Sequence, residues 1–158
     1  MKDQNYDPVA AALKLLCQTD DQFKIDLGFR ELKELADAGE MRAAAIFGYA
    51  SQFEHLGHYD LDACKVYLEK SNDADDPWGQ FYLGSMLFYG EAPFEEDRIY
   101  GNSLIVKAAK AGNPLAEEFM KGRYRQVSFE ELQMLFSKPW WKRLLDGLKH
   151  PIEFEDKE

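Results

Sequence analysis

The sequence predicts an all-α fold on three observations: apolar residues recur at helical spacing almost throughout, the punctuation is that of helix ends, and the chain aligns with itself at an offset of about 36 residues. No Val/Ile/Thr alternation bounded by Asn-Gly or Asp-Gly turns competes with this reading. With 158 residues, 46% hydrophobic and 14% aromatic, the chain can bury one sizeable core without disulfides or a structural metal, and wholesale disorder is excluded.

The elements follow in order. Asp7-Pro8 is a capping residue with proline in the first turn, opening a helix whose stripe is Val9, Ala12, Leu13 and Leu16. A second helix runs from about Asp21 to Ala38 with Phe23, Leu27, Leu32 and Leu35 on its apolar side, and Gly39 supplies the left-handed end. Further helices are expected at about 40–55, 60–71, 76–89, 96–111 and 113–123, two of them starting at Asp75-Asp76-Pro77 and Gly112-Asn113-Pro114. Ser128-Phe129-Glu130-Glu131 reads as a capping box, and Pro139 opens a last helix from Trp140 to about Leu148. Nine helices joined by links of two to six residues make successive helices antiparallel neighbours in a single domain, 1–150, with an acidic tail at 151–158.

In the self-alignment Gly39-Glu40 falls on Asp75-Asp76 and on Gly112-Asn113, Phe47-Gly48 falls on Leu83-Gly84, and Leu32, Leu68 and Ile105 share one register. A two-helix unit repeating every 33 to 40 residues is the signature of a short right-handed α-solenoid. A mid-helix glycine costs about 1 kcal/mol against alanine, so Gly48 and Gly84 mark places where two helices must approach closely.

These residues resemble the Sel-1-like repeats, a tetratricopeptide-related family of helical pairs. Trp78 to Gly90 is similar to the first helix of such a repeat, with its Leu83-Gly84 pair and later Tyr89-Gly90, followed by a loop carrying Asp97. Lys107-Ala108-Ala109-Lys110-Ala111-Gly112-Asn113 resembles the Ala-Ala-x-x-Gly-Asn ending, and Ala36-Asp37-Ala38-Gly39 is a weaker copy. The likeness covers about 24–122 and is strongest over 78–116. It departs at Glu69-Lys70-Ser71-Asn72, at the loop Gly57-His58-Tyr59-Asp60 and at Lys121, which leaves two full repeats, with the first helix and 128–148 as capping helices.

Candidate chemistry is sparse. His55, His58, Asp60 and Asp62 have ligand-like chemistry, but the spacing crosses a helix end, so they read as an ordinary polar terminus. Asp73, Asp75 and Asp76 lack the glycine and glutamate of a calcium loop and read as capping carboxylates beside Pro77. Cys17 and Cys64 are not in a Cys-x-x-Cys and read as small buried hydrophobes. No nucleophile motif or phosphate loop is visible, and Glu95-Glu96-Asp97 reads as first-turn surface charge. No catalytic residue, metal or cofactor is therefore assigned. Trp140-Trp141 beside Lys142 and Arg143 reads as part of a capping helix rather than a membrane-surface helix.

If the first helix of each pair lines a concave face, as in the tetratricopeptide relatives, counting from Gly48 gives Arg42, Ala45, Tyr49, Gln52 and Phe53. Counting from Gly84 gives Trp78, Phe81, Ser85, Phe88 and Tyr89. Aromatics of this kind anchor interfaces, yet aromatics at helical period also make cores. Tyr49, Phe81 and Phe88 stay open between groove and core, and the others read as core. Asp60, Asp62, Glu95 and Glu96 are candidates for an acidic surface.

The chain has 29 acidic and 19 basic side chains, a net charge of -10, which opposes nucleic acid and favours a basic partner. Residues 1–97 carry 20 acidic against 8 basic side chains, whereas 98–150 carry 5 against 10. No stretch is long and apolar enough to span a bilayer and no secretory signal is read, so a reducing cytoplasm is expected. The resemblance implies protein–protein recognition, the family including adaptors, signalling regulators and immunity partners of bacterial toxins. With no attached effector expected, the sharpest expectation is an acidic immunity protein that neutralises a basic toxin. The alternatives are a regulatory adaptor and, in another class, a metal-dependent enzyme.

Overall fold

In the computed structural model, which describes residues 5–16, 18 and 20–121, seven α-helices follow one another: α1 (Pro8–Leu16), α2 (Gln22–Asp37), α3 (Met41–Ala50), α4 (Leu61–Asp73), α5 (Pro77–Tyr89), α6 (Arg98–Lys110) and α7 (Pro114–Met120). A single 3-10 turn, Glu54–Leu56, lies between α3 and α4, and there is no strand among the described residues. The expected third helix, 40–55, is therefore split: its N-terminal part is α3 and its end tightens into the 3-10 turn. The helices expected at 128–148, Cys17, the Trp140-Trp141 pair and the acidic tail lie outside the described residues.

Each helix starts at a side chain that accepts from its first-turn amides, satisfying donors that have no intrahelical partner. Asp7 Oδ1 accepts from the Val9 and Ala10 amides, Asp21 from Lys24, Asp60 from Ala63, Asp76 from Trp78 and Gly79, and Asp97 from Tyr100. Glu40 and Asn113 do the same for α3 and α7.

The turns repeat. Gly39, Asp75 and Gly112, which the self-alignment superposes, all have left-handed backbone, with φ of +101°, +57° and +90°. In each case the next amide reaches back five residues: Glu40 to Leu35, Asp76 to Ser71, and Asn113 to Ala108 carbonyl oxygens. This closes the helix on itself and starts the following one directly. The alternate turns match as well, because Asp60 donates its amide to the Ser51 carbonyl and Asp97 to that of Leu87. The repeat seen in residue types is thus a repeat of backbone geometry.

The crossings repeat at the same offset. Gly48 lies against the Cys64 carbonyl and Leu68, and Gly84 against the Gly101 carbonyl and Ile105, so α3 crosses α4 as α5 crosses α6. Gly28 lies against the Ala12 carbonyl and Leu16, where α2 crosses α1, and Ala12 stands 36 positions before Gly48. Leu32, Leu68 and Ile105 are completely buried, each contributing about 1.5–3 kcal/mol of transfer free energy. The stripe of α1 is buried as its spacing predicts. That of α2 is rotated: Ile25, Gly28, Phe29, Leu32 and Ala36 face inward, whereas Phe23 is 76% exposed. The reason is that α2 packs on both α1 and α3, so its contact arc centres on Gly28, where the backbones come closest.

Candidate partner-binding face

Every helix packs against its sequence neighbours, and α3 packs also against α1 and α5. Named side chains join the odd-numbered helices in series. The Arg42 guanidinium of α3 holds Asp7, at the head of α1, at 2.6 Å. Tyr49 of α3 stacks on Tyr82 of α5, with ring centroids 4.3 Å apart and planes 16° from parallel. Phe88 of α5 meets Phe119 of α7 edge to face at 5.3 Å. Even-numbered elements are tied separately: the Tyr67 hydroxyl of α4 donates to Asp37 of α2 at 2.8 Å, and Lys107 of α6 approaches Asp75.

The sequence-derived face candidates divide by depth. Ala45, Tyr49 and Phe81 are buried, so the rings left open between groove and core pack between helices at Tyr49 and Phe81. Phe53, Trp78, Phe88 and Tyr89 are half-buried. Phe53 stands edge-on to Tyr49 at 5.4 Å, Trp78 lies 5.9 Å from the Tyr82 ring, and Tyr89 meets Phe88 edge to face. Phe88 carries the Arg98 guanidinium over its ring, 5.6 Å from the centroid. Gln52 reaches the Met86 sulfur, and the Ser85 hydroxyl donates to the Tyr82 carbonyl of its own helix. The structure therefore brings Tyr49, Phe53, Trp78 and the unforeseen Tyr82 into one aromatic cluster on α3, the link just after it and α5, with Phe88 and Tyr89 further along α5. Tyr82 could have been found because it aligns with Ile46, the two standing one residue after the counted positions Phe81 and Ala45.

Of the acidic candidates, Asp62 and Glu95 are exposed, Asp60 is engaged as the α4 cap, and Glu96 pairs with Arg98 at 2.5 Å.

The groups with reactive chemistry have structural engagements. His58 Nε2 meets Asp26 at 2.7 Å and its ring stacks on Phe29 at 4.2 Å, while His55 lies edge-on to Phe53. No group of three or more side chains able to hold a metal ion occurs among the described residues. Burial pushes the Cys64 thiol up to about 12, with the Glu91 and Asp60 charges adding to the effect, so it is held protonated. Burial also raises Asp76, against the stabilising amides of Gly79 and Trp78. Asp7 is held below its ordinary value: burial opposes this, but the Arg42 hydrogen bond and the capped amides together outweigh it.

Comparison with protein-family models, with curated proteins and with solved structures finds no match for this chain. No helix among the described residues is long and apolar enough to cross a membrane.

Proposed function

We propose that the chain is a non-enzymatic protein-recognition module: a short right-handed α-solenoid of antiparallel helix pairs, of the Sel-1-like kind, that binds another protein bearing a basic surface. In its most specific form it is a bacterial immunity protein that captures and neutralises a cognate toxin. The carrying observation is the series of contacts Asp7–Arg42, Tyr49–Tyr82 and Phe88–Phe119, which links the first helices of successive pairs and leaves Phe53, Trp78, Phe88 and Tyr89 half-buried along them. Buried rings fix the backbone, and half-exposed rings on that fixed backbone can be desolvated by a partner with little loss of conformational freedom. The net charge of -10 supports capture of a basic partner by steering its approach.

The test is co-expression with the product of the neighbouring gene. A complex that survives purification, together with rescue from that product's toxicity, is the expected result. Neither complex nor rescue overturns the immunity reading, and recovery of a housekeeping regulator in its place converts the reading to an adaptor.

A further inference from the structure

We propose that the end of the molecule where α2, α4 and α6 begin docks a basic amphipathic segment of the partner protein, with Phe23, Tyr59, Ile99 and Tyr100 as its apolar contacts. This rests on the recognition-module reading and names the surface and the chemistry it takes.

These four side chains are 76%, 50%, 88% and 46% exposed. Scattered exposed hydrophobics are ordinary, but Phe23 and Ile99 share a place in the repeat, and Tyr59 and Tyr100 lie next to the corresponding caps or positions. Phe23 and Ile99 each stand two residues after the capping aspartate of their helix, Asp21 and Asp97, and Tyr59 stands beside the third, Asp60. The three turns are neighbours in space. Gln22 of α2 donates to the Leu56 carbonyl at 3.1 Å, and His58 bridges back to Asp26, tying the start of α2 to the turn before Tyr59. The next turn is joined on through Gln52, in the link before α4, which reaches the sulfur of Met86, the residue whose carbonyl accepts the Glu91 amide as the chain turns toward α6.

Charge selects the occupant. Residues 20–26, 54–62 and 91–98, which form this end, contain nine carboxylates besides the half-covered Glu91, against two basic side chains. The positive ends of the three helices are already taken by their own capping aspartates, so the surplus carboxylates set the field. Apolar contacts within a negative field fit Lys/Arg-rich amphipathic protein and repel nucleic acid and anionic lipid.

The experiment uses the full chain and a fluorescent helical peptide of about five turns, with leucines at i, i+3, i+4 and i+7 and lysines elsewhere, beside a twin carrying Glu for Lys. Expected are binding of the Lys peptide alone, a loss of at least about tenfold on combining Phe23→Ser with Ile99→Ser, and weakening at high salt. The combined variant should melt as the wild type does, since both side chains are exposed, and it should lose toxin rescue in the co-expression assay. Unchanged peptide binding and unchanged rescue in that variant overturn the proposal. If Phe53→Ser and Trp78→Ser abolish both instead, docking lies on the aromatic face and only this inference fails. Failure of the wild type to rescue at all overturns the module reading itself. A sedimenting dimer that the combined variant converts to monomer assigns this end to a second copy and overturns the partner-segment proposal.

Discussion

Gly84 and Gly101 face each other where α5 crosses α6: a methyl group on Gly84 would lie 2.8 Å from the Gly101 carbonyl oxygen, and one on Gly101 would meet the Gly84 carbonyl oxygen at 2.6 Å. Both obstacles are backbone, which cannot swing aside as a flexible side chain could. Alanine at either position gains about 1 kcal/mol of helix propensity but must push the helices apart, an overpacking cost of about 1–3 kcal/mol or more. Gly84→Ala and Gly101→Ala are each expected to lose about 1–2 kcal/mol net in urea unfolding. A gain in stability would show that the crossing is looser than this geometry.

Asp75 occupies the left-handed turn position that glycine fills at 39 and 112. Its side chain accepts from the buried Gln80 side-chain amide at 3.5 Å and lies 3.4 Å from the exposed Lys107 ammonium, both long contacts. Asp75→Gly is expected to raise stability by about 0.5 kcal/mol, and Gly112→Ala, with open space around its would-be methyl but the wrong φ, to lower it by about 1 kcal/mol. Opposite signs at aligned positions, read from paired melting curves, test whether the turns are equivalent; equal signs would break the equivalence.

Tyr49 in α3 and Phe53, three residues beyond its end, are counted onto the same face and should behave differently. Tyr49→Ala removes a buried ring stacked on Tyr82 and is expected to cost about 3–5 kcal/mol, making it a poor probe of binding. Phe53→Ala, half-buried, is expected to cost about 1–2 kcal/mol and leaves a folded protein for partner titration. Calorimetric melting of the two variants separates the cases, and equal losses would place Phe53 in the core as well.

Much of the fold was legible because helix ends are written in few residue types. Asp and Asn before first turns and Gly39 and Gly112 after last turns fix the turn geometry locally, whatever the tertiary structure does. The repeat was legible for the same reason, since Gly48 and Gly84 report how closely two backbones approach. The face of α2 was not, because two stripes of similar hydrophobicity share that helix and only the position of α1 against Gly28 selects between them. The partner-facing residues were half legible. Counting from the glycines reached Tyr49, Phe53 and Trp78, but not Tyr82, whose burial depends on the angle between α3 and α5. The exposure of Phe23 and Ile99 depends on what the neighbouring turns leave uncovered, which spacing alone does not state.

Besides their packing, α1 and α3 are linked by the ion pair Arg42–Asp7, whose carboxylate also caps α1. Arg42→Ala and Asp7→Asn should each destabilise, the latter less than Asp7→Ala because asparagine still caps a helix. A double-mutant cycle is expected to return a coupling of about 0.5–1 kcal/mol that shrinks in high salt. No coupling would mean that α1 is held by Val9, Leu13 and Leu16 alone.

The pH dependence should turn on Glu91. It follows the left-handed Gly90 and is partly covered, and burial pushes its carboxyl from the ordinary 4.5 up to about 7. Between pH 4.5 and about 7 the unfolded chain has released a proton that the folded chain still holds, so stability falls as pH rises through that window and levels off above it. Asp7, Asp26 and Asp37 act oppositely: their folded carboxyls are held below the ordinary 3.8, so their contribution is present above that value and is lost in stronger acid. Stability should therefore peak near pH 4 to 5 and decline toward neutrality, the Glu91 share being on the order of 3 kcal/mol. Glu91→Gln keeps the shape without the charge. The variant's urea midpoint should be flat between pH 5 and 8 and exceed that of the wild type at pH 8; parallel curves across this range would mean that the Glu91 carboxyl is solvated in the folded protein.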